Sequence, residues 1–332
     1  MRIISQSDVE RLLPVADCVP VMREAMMATS RGDVSLPIRQ FMPVPGAPGK
    51  LALMPGTLGE AGVAEDASFG IKLVCKYDRP HGDPLGTHVG MVVLFDSAKG
   101  VPLAMIEGSS LTAIRTSAAS ALATDLLARK DASRIAVIGN GEQAMRHIAA
   151  MQAVREISHV MVWGRDRGRA ERFAIEAGRK FNVAVETAAN PGSAVENADI
   201  ICATTSAREP VLLGADLKSG QHLNLVGSAI PTTSEVDSEA VKRSRFYVDY
   251  RPAAMAAAGE LLKAIEAGVV AQDHIVAEIG EVAAGDLPGR NSSNEITCYK
   301  SLGVASQDLA AAYAVWHRAE AEGAGIEFDL LS

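Results

Sequence analysis

The run Arg134-Ile-Ala-Val-Ile138 passes without a break into Gly139-Asn140-Gly141-Glu142-Gln143-Ala144. Few local patterns narrow the range of folds as far. A short apolar strand that turns on glycine into a helix leaves free N–H groups, and the positive end of the helix dipole, at the turn. Gly139 permits the tight turn, Gly141 lets a diphosphate approach the backbone, and Ala144 keeps helix and strand close. The spacing is the Gly-x-Gly-x-x-Ala form of a dinucleotide-binding turn, and Asn140 and Gln143 belong to the same cradle.

The rhythm that follows supplies the context such a turn requires. Strands are expected at 134–138, 159–163, 183–186, 199–203, 222–226 and 245–248, with helices between them, among them 142–155 and 167–180. Apolar strands alternating with amphipathic helices predict an α/β fold, a Rossmann-type doubly wound parallel sheet covered on both faces. The region before it differs. Residues 1–30 read as a helical hairpin. Between 33 and 106, Pro and Gly punctuate short strands at 50–54, 69–77, 89–95 and 101–107, with turns at 86–90 and 97–100. One long Ala-rich helix at 109–129, capped by Ser109 or Ser110, leads into the sheet. A last helix at 305–322 falls outside the rhythm and is expected to return to the first region. The expected division is a second, α+β domain formed by 1–128 with 303–332, and a dinucleotide-binding domain at 129–302.

Composition excludes several classes of function. The net charge is −8 and no Lys/Arg cluster stands out, which argues against a nucleic-acid partner. Charge appears early, at Asp8, Glu10 and Arg11, and no apolar run reaches the length of a membrane span, so neither secretion nor membrane embedding is expected. Four dispersed cysteines and histidines without ligand spacing suggest no disulfide framework and no metal, and fit a cytoplasmic setting.

Three further positions carry chemistry. The second strand of the rhythm ends Trp163-Gly164-Arg165-Asp166. A carboxylate there selects NAD by holding the ribose 2′-OH, whereas Arg favours the 2′-phosphate of NADP. Gly164 followed by Arg165 indicates NADP(H) as the preferred cofactor and NAD(H) as the alternative, with Asp166 able to serve a ribose only in a shifted turn. Arg115 shares a helix face with Thr112 and Thr116, and its planar fork suits a carboxylate. Lys72, between Ile71 and Leu73 on an inner strand, needs an anionic partner, and a substrate carboxylate is one.

Stretches spread over nearly the whole chain resemble the ornithine cyclodeaminase/mu-crystallin family: Gly70-Ile-Lys72-Leu-Val, Pro84-Leu-Gly-Thr87, Leu111-Thr112-Ala-Ile-Arg115-Thr116-Ser-Ala, the Gly139–Ala144 turn, Val226-Gly-Ser-Ala-Ile-Pro231 with Glu235 and Asp237, and Ser301-Leu-Gly303 with Asp308. The resemblance implies a homodimer joined through the α+β domain and a small imino or amino acid as substrate. It implies that Arg115 and Lys72 grip the substrate carboxylate and take part in catalysis, that Arg39 and Thr87 are further substrate contacts, and that Thr116, Thr204, Val226 and Ser228 reach the cofactor. One departure bears on the reaction. Cyclodeaminases of the family carry an Asp where Ala229 stands here, and Ala can be neither acid nor base. The reading is therefore reduction of a cyclic ketimine such as Δ1-pyrroline-2-carboxylate or Δ1-piperideine-2-carboxylate. An alanine-type dehydrogenase and a cofactor-binding protein without turnover are the alternatives, and cyclodeamination is disfavoured.

Overall fold

A computed structural model describes residues 1–59, 67–77, 79, 83, 85–86 and 88–330. The chain divides into two compact units, Met1–Arg115 with Val304–Ser332, and Thr116–Gly303.

The first unit opens with β1 (Arg2–Ile4), α1 (Gln6–Leu12), α2 (Val15–Arg31), β2 (Val34–Ser35), β3 (Gln40–Pro43), β4 (Gly49–Leu58), β5 (Ser68–Tyr77), β6 (His88–Phe95) and β7 (Pro102–Glu107). From Glu107 the chain enters α3 (Gly108–Leu127), inside which the boundary between the units falls. In the second unit α3 is followed by β8 (Arg134–Ile138), α4 (Glu142–Gln152), β9 (His159–Trp163), α5 (Arg167–Phe181), β10 (Ala184–Thr187), α6 (Pro191–Val195), β11 (Ile200–Ala203), β12 (His222–Leu225), α7 (Ser238–Arg243), β13 (Ser244–Val248), α8 (Arg251–Ala257), α9 (Gly259–Glu266), β14 (Ile275–Glu278), α10 (Ile279–Ala284) and β15 (Ile296–Lys300). The chain then returns to the first unit as α11 (Ala305–Glu322) and β16 (Ile326–Glu327).

In the first sheet the strands run in the order β16-β1-β7-β6-β5-β4-β2, with β3 also on β4. Alternation along β4, β5 and β6 sends Ala52, Met54, Leu58, Lys72, Val92 and Leu94 to a buried face, on which α11 packs. Two glycines facing each other across the ladder, Gly56 and Gly70, make room for that helix. A Cβ at Gly56 would stand 2.9 Å from the Ala305 Cβ, and one at Gly70 would stand 3.1 Å from Leu309 Cδ2. The residue after Gly70 on the same face is Lys72, and the residue before Leu309 is Asp308, so this close approach brings the two charges into one plane of contact.

The second sheet is parallel throughout, in the order β10-β9-β8-β11-β12-β15-β13-β14. The order reverses at β8, which places the glycine turn at the switch point where such sheets bind ligands. The last strand of the unit, β15, inserts between β12 and β13.

Several expectations are corrected. Residues 1–30 are not only a helical hairpin, since Arg2–Ile4 pairs in parallel with Ala104–Ile106 of β7; the sheet edge recruits a segment too short to declare a strand alone. Neither Ser109 nor Ser110 caps α3. The Glu107 carboxylate does so, accepting from Ser109 N at 2.6 Å and Ser110 N at 2.9 Å, while the Ser109 hydroxyl donates to the His88 carbonyl. The turn expected at 86–90 is shorter, because β6 already begins at His88 and pairs with Lys76. Strands β14 and β15 were not foreseen; β15 reads Ile-Thr-Cys-Tyr-Lys, which shows no alternation because every residue of it is buried. Among the described residues no helix is long and apolar enough to cross a membrane.

Gly70 provides a test of the first sheet. A Cβ there would lie 2.1 Å from the Val93 carbonyl oxygen, a backbone atom that cannot swing aside. Gly70→Ala should lower unfolding stability by about 1–3 kcal/mol, as overpacking does, read from the urea midpoint. An unchanged midpoint would mean that the β5–β6 ladder parts freely there.

Candidate active site

In the first unit, three charged side chains meet out of water. Lys72 comes from β5, Arg115 from α3 and Asp308 from the first turn of α11; their exposures are 4%, 4% and 1%. The Lys72 ammonium stands 2.9 Å from both oxygens of Asp308, with hydrogen-bond geometry to Oδ1, and 3.4 Å from Thr112 Oγ1. Arg115 Nε donates to Asp308 Oδ1 at 2.8 Å, and Nη1 donates to Gln307 Oε1 at 2.8 Å. Thr112 in turn donates to the Gly108 carbonyl at 2.6 Å.

Two cations thus share one carboxylate, and the centre carries one positive charge in excess. A buried excess charge is costly and is relieved either by an added anion or by losing a proton. The proton is the weak point: burial above all, helped by Arg115 and Arg39 and opposed by Asp308, pushes the Lys72 ammonium down to about 7. Against its own burial, Asp308 is held below the ordinary carboxylate range by Arg115 and then Lys72. The positive field spreads along the sheet. His88, desolvated and facing Lys76, Lys72, Arg39 and Lys50, is pushed down to about 4, so it is neutral near pH 7. Arg39 lies just ahead of β3 and contributes to this field. Thr87 lies outside the described residues.

In the second unit the glycine turn has the form of a phosphate cradle. Gly139 has φ +118°, and a Cβ on it would strike the carbonyl and hydroxyl oxygens of Thr204, 2.9 Å away. Gly141 heads α4 with no side-chain cap, and a Cβ on it would meet nothing within 4 Å, so the free N–H groups open onto space. The buried Nδ2 of Asn140 and Oε1 of Gln143 have no hydrogen-bond partner among the described residues. An open helix end with two orphaned polar atoms fits a bound dinucleotide diphosphate. Ala144 is fully buried behind the turn.

Around it, Arg165 is exposed, and Asp166 is committed as the cap of α5, accepting from Arg169 N at 2.9 Å. Gly164 faces Asn140, whose side-chain atoms would stand 3.0 Å from a Cβ at 164. Thr116 is buried, and Thr204 donates to the Ile138 carbonyl at 3.3 Å. Val226 continues the β12 ladder, its N–H bonded to the Ala203 carbonyl. Ser228 is turned into its own loop, donating to the Thr233 carbonyl at 2.8 Å with Thr233 Oγ1 at 2.7 Å. Ala229, partly buried, packs against the apolar core of the unit.

Sequence reasoning gave Lys72 a substrate carboxylate as partner and did not foresee that Asp308, named only among the residues carrying the family resemblance, would pair with it. The available signal was Gln307-Asp308 in the first turn of an otherwise Ala-rich helix, which reads as ordinary dipole compensation until the helix is seen to lie on Lys72.

Fold and cradle together define a dinucleotide-binding protein of the Rossmann type. More narrowly, the chain belongs to the ornithine cyclodeaminase/mu-crystallin family, which it matches over residues 1–323. It is 35% identical over 334 residues to a Δ1-pyrroline-2-carboxylate reductase of Bacillus cereus, covering 99% of this chain and 100% of that one. Its fold matches that of Thermococcus litoralis Δ1-pyrroline-2-carboxylate reductase, solved with NADH and L-proline, at a TM-score of 0.93 and 32% identity, over 99% of this chain and 100% of the other. An archaeal alanine dehydrogenase dimer with bound NAD matches at 0.91 and 28%, over 100% and 99%. These relatives are oxidoreductases by name.

The shared carboxylate has a measurable weight. Asp308→Asn leaves Lys72 and Arg115 buried without a counter-charge and should cost about 3–5 kcal/mol of unfolding free energy, read by urea or thermal unfolding near pH 7. A loss below about 1 kcal/mol would show that Asp308 is not what keeps the two side chains buried.

Proposed function

We propose that this protein reduces a small cyclic α-imino acid, Δ1-pyrroline-2-carboxylate or Δ1-piperideine-2-carboxylate, to the L-amino acid, with NADP(H) preferred over NAD(H). The observation that carries the reading is the buried Lys72–Asp308–Arg115 centre with its one surplus positive charge. A substrate carboxylate neutralises that charge, while Asp308 keeps both cations aimed. Arg115 orients the carboxylate through its fork, with Gln307 fixing the guanidinium plane. Arg39 and Thr87 are further substrate contacts in this reading.

When bound, the nicotinamide supplies the hydride that saturates the imine carbon. The chain's part is to orient the imino acid and to supply one proton. Lys72, with an ammonium that releases its proton near neutrality, is the donor to the imine nitrogen. Gly139, Asn140, Gly141, Gln143 and Ala144 hold the diphosphate, and Thr116, Thr204, Val226 and Ser228 line the remainder of the cofactor's path. The NADP preference is supported by exposed Arg165, by Gly164 where a carboxylate would select NAD, and by the commitment of Asp166 to capping. Ala229, packed into apolar surroundings, leaves ring closure with ammonia loss without its acid. We also propose that the first unit binds substrate and joins a homodimer, a state named for the alanine dehydrogenase neighbour. A cytoplasmic setting agrees with four free cysteines.

The deciding assay compares NADPH and NADH oxidation with Δ1-pyrroline-2-carboxylate, Δ1-piperideine-2-carboxylate, and pyruvate plus ammonia. Turnover of a cyclic imine without turnover of pyruvate and ammonia is the expected result. The reverse makes the protein an alanine-type dehydrogenase, and cofactor binding without turnover of any makes it a binding protein. Arg115→Met should lower kcat/KM about 100-fold or more, the weight of a charged hydrogen bond, in protein whose circular dichroism is unchanged.

The pH profile tests Lys72. As pH rises through about 7 the free enzyme loses the Lys72 proton, and kcat/KM should fall. Bound carboxylate favours the charged form, so the same limb in kcat should lie at higher pH. Lys72→Met should abolish the limb together with most activity. A residual profile of unchanged shape would remove Lys72 from the proton's path.

A further inference from the structure

A second buried charge cluster lies in the Thr116–Gly303 unit, apart from the glycine turn. Glu235, Glu260 and Lys300 are 0%, 1% and 0% exposed. Lys300, the last residue of β15, places its ammonium 3.1 Å from Glu260 Oε2 and 3.2 Å from Oε1. Glu260, in the first turn of α9, accepts the backbone N–H of Glu235 at 3.1 Å. The Glu235 carboxylate then reaches into two loops. Its Oε1 accepts Thr205 N at 2.7 Å and Thr205 Oγ1 at 2.9 Å, and its Oε2 accepts Gly227 N at 2.6 Å.

Those loops leave the carboxyl ends of β11 and β12. The two backbones touch: a Cβ at Gly227 would fall 1.8 Å from the Thr205 carbonyl oxygen. Gly259, opening α9, is wedged equally tightly on the 230–233 segment, where a Cβ would meet Thr233 O at 1.9 Å. In a doubly wound sheet the strands on one side of the switch point carry the adenosine half of a dinucleotide and those on the other side carry its second half. The side beyond β8 that holds β11, β12 and β15 is this second half.

Buried ion pairs of this kind are often no more stabilising than apolar residues of equal volume, and fixing register is the best-attested use of such pairs. We propose that Glu235, held by the Glu260–Lys300 pair, is a positioning residue that sets the Thr205 and Gly227 loops for the nicotinamide half of the cofactor. This rests on the reading of the unit as the dinucleotide site. One carboxylate accepting from both loops fixes their separation, which neither loop controls alone. The Glu235 carboxylate faces the backbone N–H groups of Thr205 and Gly227, so its effect passes through the loops.

The test uses the full-length protein and fluorescence or calorimetric titration, not turnover. NADPH is compared with 2′-phospho-ADP-ribose, which lacks the nicotinamide. Glu235→Gln keeps the shape but turns one acceptor into a donor. It should weaken NADPH binding about 10-fold and leave 2′-phospho-ADP-ribose unchanged. Lys300→Met should give the same selective loss through Glu260. If Glu235→Gln does not fold, Glu260→Gln, which keeps an acceptor for the Glu235 amide, carries the comparison. Equal weakening of both probes, or none, overturns the proposal. Failure of the wild-type protein to bind either probe, and to bind NADH or ADP-ribose in their place, overturns the dinucleotide reading itself, a result distinct from the others.

Discussion

One carboxylate, Asp308, decides much of what the first unit can be. Two long cationic side chains from different elements point into the same dry volume, and only the return of α11 supplies the charge that lets them stay. The helix can deliver it because Gly56 and Gly70 strip side chains from the surface on which it lies. Backbone approach, helix position and charge compensation are therefore one constraint seen at three scales. While Lys72 holds its proton the compensation is incomplete by one charge, and in the proposed reading that surplus is what a substrate carboxylate answers.

The second unit reaches receptivity by another route. Its glycine turn offers a helix end without a cap and polar atoms without partners, a site left open by omission. The Glu235 network does the opposite work nearby, satisfying every loop N–H it reaches. Openness at the phosphate cradle and rigidity in the neighbouring loops are complementary, since a ligand gains most from surfaces that do not have to be ordered on binding.

The parallel sheet was legible because its signals are local: an apolar run, a glycine turn and an amphipathic helix sit within one stretch of chain. Gly139, Gly141 and Ala144 could be read as a dinucleotide turn because their spacing falls between a strand and a helix, with further strand–helix units after it. Lys72 and Arg115 were legible as cations that needed an anion, but the anion, Asp308, was not, because it is distant in sequence and its helix looks ordinary. The cap of α3 was missed for a related reason: Glu107 ends a strand, where capping residues are not sought, and two serines beside it are better known for the task. β15 escaped notice because a strand buried on both faces loses its alternation. Resemblance to a family supplied site residues that periodicity could not, yet it carried no statement of which side chains touch. The Glu235–Glu260–Lys300 cluster could be recognised only from coordinates.

The return of the chain to its first unit has a consequence for the order of events at the ribosome. Every strand of the nucleotide-binding sheet is synthesised before α11, so that unit holds its full complement while the first is still waiting for its final helix. Domains tend to fold as soon as they are complete, amino-terminal ones first. Here the first unit, though begun earliest, is completed last, because Asp308, the counter-charge of Lys72 and Arg115, arrives only with α11. A chain truncated before α11 would carry every strand of the nucleotide-binding sheet, together with a first unit that lacks both its last helix and the counter-charge of Asp308.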